Sequence, residues 1–133
     1  MTKTTSRLIA ACALSLLCSI PSVGMTEPAS AATQRALLRT AVKAYSDAFL
    51  DGRGADAYTM LTGRCRTRID RQEFIDASAL AKEIYGGPMS FTSYRAVIDG
   101  HRARATYTYE ARALDQRREP WLRVSGRWRM NQC

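Results

Sequence analysis

The segment from 90 to 111, SFTSYRAVIDGHRARATYTYEA, contains the pattern that decides the fold. Apolar and aromatic side chains alternate with polar ones on both sides of Asp99-Gly100, a dipeptide that strongly favours a two-residue hairpin turn. With these two residues as the turn, Ile98 is expected to pair with His101. The segment is therefore predicted to form two antiparallel strands, 90–98 and 101–111.

This alternation divides the side chains of the hairpin between two faces. The face expected to pack is apolar and aromatic, with Tyr94, Ala96, Ile98, Ala103, Ala105, Tyr107 and Tyr109. The opposite face is mostly polar and basic, with Arg95, Arg102, Arg104, Thr106, Thr108 and Glu110. One face is thus predicted to lie on a hydrophobic core while the other meets solvent.

A second hairpin is predicted at the end of the chain. A strand from Trp121 to Val124 is followed by Ser125-Gly126 as the turn, and the chain returns from 127 to 133. Two registers are open, since a two-residue turn and a bulged three-residue turn place Trp121 differently. The charged stretch 115–120 is interpreted as the connection between the hairpins.

Helical periodicity precedes both hairpins. The first helix is predicted over 34–50, where apolar residues recur at steps of three and four. Its expected core stripe consists of Leu38, Val42, Tyr45 and Phe49, widened by Leu37, Ala41 and Ala48. A short second helix is predicted over 55–62, with Gly63 closing it. A glycine is a common residue directly after the end of a helix.

The third predicted helix has the clearest start signal. Asp70 and Glu73 form a capping-box-like pair, and Gly86-Gly87-Pro88 ends the helix. Its expected buried face consists of Phe74, Ala77, Ala81 and Ile84. The complete order predicts an α+β fold, in which three N-terminal helices pack on a curved four-stranded antiparallel sheet.

Residues 1–31 resemble a signal peptide, so the predicted domain is 32–133. Lys3 and Arg7 precede an apolar run over 8–20, and Ala29-Ser30-Ala31 is an A-x-A cleavage motif. A retained membrane anchor and a lipid-modified Cys12 are the alternatives. The predicted mature domain is basic, and export places it outside the cell or at the cell envelope.

Two cysteines remain after the predicted cleavage, Cys65 and Cys133. A disulfide between them is the simplest interpretation for an exported chain, with free thiols or a metal site as the alternatives. The metal alternative is weak because no histidine lies nearby in the sequence, and no metal or cofactor is expected.

The pattern resembles the nuclear-transport-factor-2-like (SnoaL-like) superfamily, in particular its exported actinobacterial members. The resemblance rests on the helix motif AYSDAF at 44–49, on Asp56-Ala57-Tyr58, and on the terminal hairpin WLRVSGRWR at 121–129 before a closing cysteine. It implies a cone-like fold whose curved sheet wraps the first helix and often leaves a pocket. The superfamily includes isomerases, dehydratases and epoxide hydrolases, but also non-catalytic ligand-binding, dimerisation and accessory domains, so the fold alone does not select a function.

Catalysis in the superfamily that this chain resembles uses an Asp, Glu or Asp/His set inside the pocket. The available residues are His101, Asp47 and Asp56, but the first is expected at a hairpin tip and the others on solvated helix positions. No carboxylate is expected on the inner sheet face. The common phosphate, nucleophile, zinc and calcium motifs do not occur in the sequence.

Two further groups of side chains are candidates for binding. Aromatic residues could line a ligand pocket or fill the core completely: Tyr45, Phe49, Tyr94, Tyr107 and Tyr109. A basic patch of Arg95, Arg102 and Arg104 suits an anionic envelope polymer or acidic partner, whereas nucleic acid is not expected. The sequence favours an exported, non-catalytic module that binds a small apolar ligand, an envelope protein or a second copy; a small pocket enzyme, isomerase- or dehydratase-like, is the alternative.

Overall fold

A computed structural model describes residues 30–133, which form an α+β domain. Within this range four helices come first, and a four-stranded antiparallel sheet in the order β1-β2-β3-β4 follows. The helices are α1 (Ala31–Leu50), α2 (Gly54–Thr59), α3 (Gly63–Arg66) and α4 (Arg71–Tyr85). The strands are β1 (Ser93–Asp99), β2 (Arg102–Thr108), β3 (Gln116–Val124) and β4 (Arg127–Met130), and a 3-10 turn, Arg112–Leu114, precedes β3. The predicted α+β class and the four-stranded antiparallel sheet are confirmed, whereas four helices are present where three were predicted, because Gly63–Arg66 forms an additional one.

Most of the predicted signal segment, including Cys12, lies outside the described residues. Helix α1 begins at Ala31, earlier than predicted, because the Ser30 side chain caps it by accepting a hydrogen bond from the Thr33 amide. Leu38, Val42, Tyr45 and Ala48 are buried as expected, whereas Leu37 is 46% exposed, so the predicted core stripe is wrong at that position. Among residues 30–133, no helix combines the length and the apolarity that crossing a bilayer would require.

The predicted second helix is divided into two. Helix α2 ends at Thr59, and Gly63 begins α3 instead of closing α2. The Thr62 side chain caps α3 by accepting a hydrogen bond from the Cys65 amide, a local signal stronger than the glycine. The Cys65 side chain is fully buried and is bonded to Cys133, so the predicted disulfide is confirmed.

Helix α4 begins and ends as predicted, but its buried face is rotated from the predicted one. Ala81 is buried and Phe74 packs against the core as predicted, and Ser78 is buried as well. The prediction is wrong at Ala77, which is exposed, and at Ile84, which is 63% exposed. The contact with α2 sets this rotation, since a Cβ added at Gly54 would lie 2.7 Å from the Ile75 Cα. Only glycine permits such close backbone approach, and the buried face follows from the helix pair.

The first hairpin has the predicted faces but a different register. The turn residues are Gly100 and His101, so Asp99 pairs with Arg102, and each pairing moves by two residues from the prediction. Gly100 has a φ of 56°, as the first turn position of a II′ hairpin requires. Because the shift is an even number of residues, every side chain stays on its predicted face.

The second hairpin has a two-residue turn, which settles the open register. Ser125 and Gly126 both have positive φ, as a type I′ turn requires, and Val124 pairs with Arg127. Trp121 consequently lies opposite Met130 on the inner face. The outer edge of β4 is covered by the chain between α2 and α3, where the Thr62 amide donates to the Met130 carbonyl at 2.9 Å.

Strand β3 begins earlier than predicted, within the stretch interpreted as a connection. Pro120 lies in this strand opposite Arg104, and its carbonyl accepts from the Asn131 amide at 2.9 Å on the side away from β2. Its missing N–H would point the same way, just beyond the end of β4, so no hydrogen bond between strands is lost. Residues 116–120 therefore belong to the sheet and not to the predicted connection.

Candidate functional site

A cavity of about 330 Å³ lies between α1 and the inner face of the sheet. Aromatic and aliphatic side chains form most of its wall: Tyr45, Phe49, Leu50, Ile69, Phe74, Tyr107, Tyr109, Leu114 and Met130. Four polar residues complete it: Ser46, Gln116, Glu119 and Gln132. The volume lies at the lower end of the range of about 300–1,000 Å³ for small-molecule sites. Tyr45, Tyr107 and Tyr109 belong to the hydrophobic core and also form part of the cavity wall.

A bulge in β3 places two of these polar residues on the same face. The register with β2 shifts between Ala105 and Tyr107, so two residues of β3 lie opposite Thr106. Arg118, within the bulge, has a φ of 53° and donates its amide to the Thr106 hydroxyl. Gln116 and Glu119 are three residues apart and would otherwise point to opposite faces. The bulge directs both into the cavity.

Glu119 is the buried charge-bearing group of the site. Its side chain is 4% exposed, and two donors contact the same carboxyl oxygen. The Tyr107 hydroxyl donates to Oε2 at 2.9 Å, and the Trp121 indole Nε1–H donates to Oε2 at 2.8 Å. The second oxygen, Oε1, makes no hydrogen bond within residues 30–133. It is not completely enclosed by protein atoms, and Glu119 lines the cavity, so Oε1 is open to the cavity.

This arrangement determines where the carboxyl group can act. Burial raises the pKa of Glu119 above its ordinary value, and the hydrogen bonds from Trp121 and Tyr107 oppose that rise. Because both donors occupy Oε2, a proton on the carboxyl group is carried by Oε1. The group thus presents the cavity with a hydrogen-bond donor when protonated and an acceptor when ionised.

Tyrosine hydroxyls add neutral polar atoms around the carboxyl group. Tyr109 hydrogen-bonds to the Ser46 hydroxyl, and burial raises the pKa of Tyr109 to about 12. Burial also raises the pKa of Tyr45 and of Tyr107, with the charge of Glu119 adding to both shifts. All three phenols therefore remain protonated at neutral pH and can donate hydrogen bonds.

Glu119 should give the folded protein a characteristic dependence on pH. Since its pKa is raised on folding, the native state retains a proton that the unfolded state has lost, and stability falls as pH rises through that interval. We expect the unfolding free energy of the wild type, minus that of Glu119→Gln, to decrease between about pH 5 and pH 8. Urea denaturation of both proteins across this range measures the difference.

Taking the difference between the two proteins cancels the contributions of other groups, including those whose pKa is lowered on folding. Asp51, for example, has a lowered pKa because Lys82 and Arg53 donate hydrogen bonds to it, and this contribution is the same in both proteins. A difference that grows with pH would mean that the two hydrogen bonds outweigh the effect of burial and that the pKa of Glu119 is lowered on folding, contrary to the prediction.

The structure brings together most of the predicted aromatic residues. Tyr45, Phe49, Tyr107 and Tyr109 line the cavity, whereas Tyr94 lies outside it. The Tyr94 ring packs against Phe91 and beneath the Arg39 guanidinium, 5.3 Å from its centre. Tyr94 thus belongs to a neighbouring aromatic cluster at the first hairpin.

The three candidate acid–base residues lie apart from this cavity. Asp47 forms an ion pair with Lys43 on α1, and Asp56 pairs with Arg53 at 3.1 Å. His101 is exposed in the turn between β1 and β2. None of them lines the pocket, and they do not converge with one another.

Glu119 is the residue that sequence reasoning missed, and the expectation of no carboxylate on the inner sheet face is wrong. It lies two residues before Trp121, so alternation alone would place both on one face of a strand. Pro120 and the charged residues around it favour a loop, so the sequence pattern does not predict that Glu119 and Trp121 share a strand face. The position of Glu119 two residues before an inward-facing Trp121 is the feature that could have predicted an inward carboxylate.

The predicted basic patch lies on the other side of the sheet. Arg95, Arg102 and Arg104 are exposed on the outer face. Every ion pair within residues 30–133 is formed by residues between Lys43 and Lys82. The sheet half of the domain therefore has arginine charges that no described carboxylate neutralises.

Within the described part of the chain, no group of three His, Cys, Asp or Glu side chains is placed to hold a metal ion. No protein-family description, curated protein or solved structure matches the chain in comparisons with known proteins. The polar groups that the cavity offers to a ligand include one buried carboxyl group, three phenols and two side-chain amides.

Proposed function

We propose that this chain is an exported domain of the nuclear-transport-factor-2-like kind that binds a small apolar molecule without converting it. The observation that carries the proposal is the cavity of about 330 Å³ with Glu119 Oε1 open to it. A small, largely apolar ligand with one hydrogen-bonding group would match the aromatic wall and the single open polar atom. The Glu119 carboxyl group would orient that ligand in the pocket.

The position of the cavity and the order of helices and strands both support the proposed nuclear-transport-factor-2-like family. In a cone-like arrangement the first helix lies against the concave side of the sheet, and a pocket opens between them. The cavity here has Tyr45, Ser46 and Phe49 of α1 on one side and Tyr107 and Glu119 of the sheet on the other. This placement supports the proposed curved, cone-like sheet.

Export is supported by the disulfide. Cys65 and Cys133 are joined, and such bonds persist in oxidising compartments. Together with the signal-like segment over 1–31, this favours a site of action outside the cell or at its envelope. An envelope protein, an anionic polymer or a second copy of the chain would meet the exposed outer face of the sheet.

A pocket enzyme is the second candidate function, and the open oxygen of Glu119 favours it. A carboxyl group with a raised pKa and one free oxygen is suited to transferring a proton to or from a bound molecule. Binding without conversion is preferred because Glu119 is the one Asp, Glu or His side chain among the described residues that line the cavity. A relay of a proton between two such groups would need a second one.

The ligand site can be tested with 2-naphthol, an apolar molecule with one hydroxyl group, and with naphthalene as its apolar counterpart. We expect 2-naphthol to bind saturably at one site and at least tenfold more tightly than naphthalene, because its hydroxyl group contacts Glu119 Oε1. Leu114→Trp, which fills the cavity wall, should weaken 2-naphthol binding at least tenfold. Fluorescence titration measures both affinities.

Leu80→Trp is the matched control, because it makes the same exchange on α4 at a residue that is 55% exposed and does not line the cavity. It should leave binding unchanged. No saturable binding, or equal weakening by both variants, would contradict the pocket. Conversion of the bound probe by the wild type but not by Glu119→Gln would select the enzyme instead.

A further inference from the structure

A second and larger concavity lies on the outer face of the sheet, opposite the aromatic cavity. It has a volume of about 600 Å³. Its apolar floor is formed by Val97 of β1 and by three residues of β3: Pro120, Leu122 and Val124. We refer to it as the outer groove. Residues 62–64 and Asn131 close the end beside β4.

Three arginines lie in the outer groove. Arg102 and Arg104 project from β2, between Val97 on β1 and the apolar residues of β3. Arg64 reaches in from α3, where its Nη2 donates to the Asn131 carbonyl at 2.9 Å. None of the three forms an ion pair within residues 30–133. Asp99 is the one acidic side chain in the wall, so the outer groove has an excess of two positive charges.

The apolar floor is unusual for an exposed sheet face. Val97 is 71% exposed and Val124 is 44% exposed. Isolated exposed apolar residues are ordinary, but here they share one concavity with arginines that form no ion pair among residues 30–133. Guanidinium groups bind carboxylate and phosphate oxygens in paired hydrogen bonds, and the floor suits a hydrocarbon chain.

We propose that the outer groove binds a small amphiphilic anion, a molecule with a carboxylate or phosphate head and a hydrocarbon tail. The head contacts Arg102 and Arg104 on β2, and the tail lies beside them along Pro120, Leu122 and Val124 of β3. The shape favours a single molecule over a bilayer surface or a polymer, because the apolar residues lie in a concavity closed at one end. A volume of about 600 Å³ is also that of an ordinary small-molecule site.

This site is separate from the aromatic cavity, because the sheet lies between them and Glu119 faces the inner side. The two sites can therefore be tested independently. Decyl phosphate, used as a monomer, is the probe for the outer groove, with decanol and inorganic phosphate as its two halves. Isothermal titration calorimetry measures each affinity.

Decyl phosphate should bind at least tenfold more tightly than either half. The double variant Arg102→Gln, Arg104→Gln should weaken this binding at least tenfold, because it removes the charges that hold the head. Arg112→Gln, Arg117→Gln is the matched control, since both arginines are exposed, carry the same charge and lie outside the outer groove. The control variant should bind as the wild type does.

Several results would overturn this assignment. Equal weakening by the two double variants would show a general charge effect, and equal binding of decanol would remove the role of the arginines. Polyphosphate binding as tightly per phosphate as decyl phosphate would remove the role of the floor. Leu114→Trp should leave decyl phosphate binding unchanged, and weakened binding in that variant would place the probe in the aromatic cavity.

Discussion

Replacing both disulfide cysteines, Cys65→Ser with Cys133→Ser, is expected to lower the free energy of unfolding by about 4 kcal/mol. The bond joins residues 68 positions apart, so it restricts a long loop of the unfolded chain. It also attaches the end of the chain to α3, beside the segment that covers β4. Small domains have total unfolding free energies of about 5–15 kcal/mol, so the variant should lose a large part of its stability.

Urea denaturation of the variant and of the oxidised wild type measures this loss. Wild type treated with dithiothreitol should unfold at nearly the midpoint of the serine variant, and the same reductant should not change the variant further. An unchanged midpoint on reduction of the wild type would contradict a stabilising role for the bond. The reductant comparison also separates loss of the bond from burial of a serine at 65.

Trp121→Ala is expected to cost about 3–5 kcal/mol, because it removes a large side chain from the middle of the core. Trp121 is 1% exposed and its ring meets that of Tyr45 edge-on, with centroids 5.9 Å apart. Trp121→Phe keeps much of this packing but removes the N–H that donates to Glu119. That variant should lose about 2 kcal/mol, since a buried carboxyl group loses one of its two donors.

Trp128→Phe is the matched control for the lost hydrogen bond. The Trp128 side chain is also buried, but its Nε1–H has no partner within residues 30–133. The same exchange should therefore cost less there than at Trp121. Equal losses at the two positions would show that the indole donor contributes nothing to holding Glu119, and that packing accounts for the whole effect.

These two predictions concern contacts of different origin. The disulfide was predictable from the number of cysteines and from the signal-like pattern of residues 1–31, without any geometry. The contact of Trp121 with Glu119 depends on β3 beginning before Pro120, which the local sequence argues against. The carboxyl group at the centre of the proposed site was accordingly missed, whereas most of its aromatic wall was anticipated.

The longer helices and the faces of the first hairpin were predictable because they depend on local periodicity. The helical spacing of Leu38 and Val42, the N-cap at Asp70 and the alternation around Gly100 are all confirmed. The hairpin register was wrong by two residues, yet the faces were right, because a strand repeats every two residues.

Local sequence thus determined helices α1 and α4, the alternation in the first hairpin and which of its faces is apolar. The tertiary structure alone decided the burial of Ser78 on α4, the position of the bulge and the surroundings of Glu119. Each of these depends on a contact between segments distant in the chain, such as Gly54 against Ile75 or Arg118 against Thr106. Packing of this kind overrides local preference, because its energy comes from groups that the local pattern does not contain.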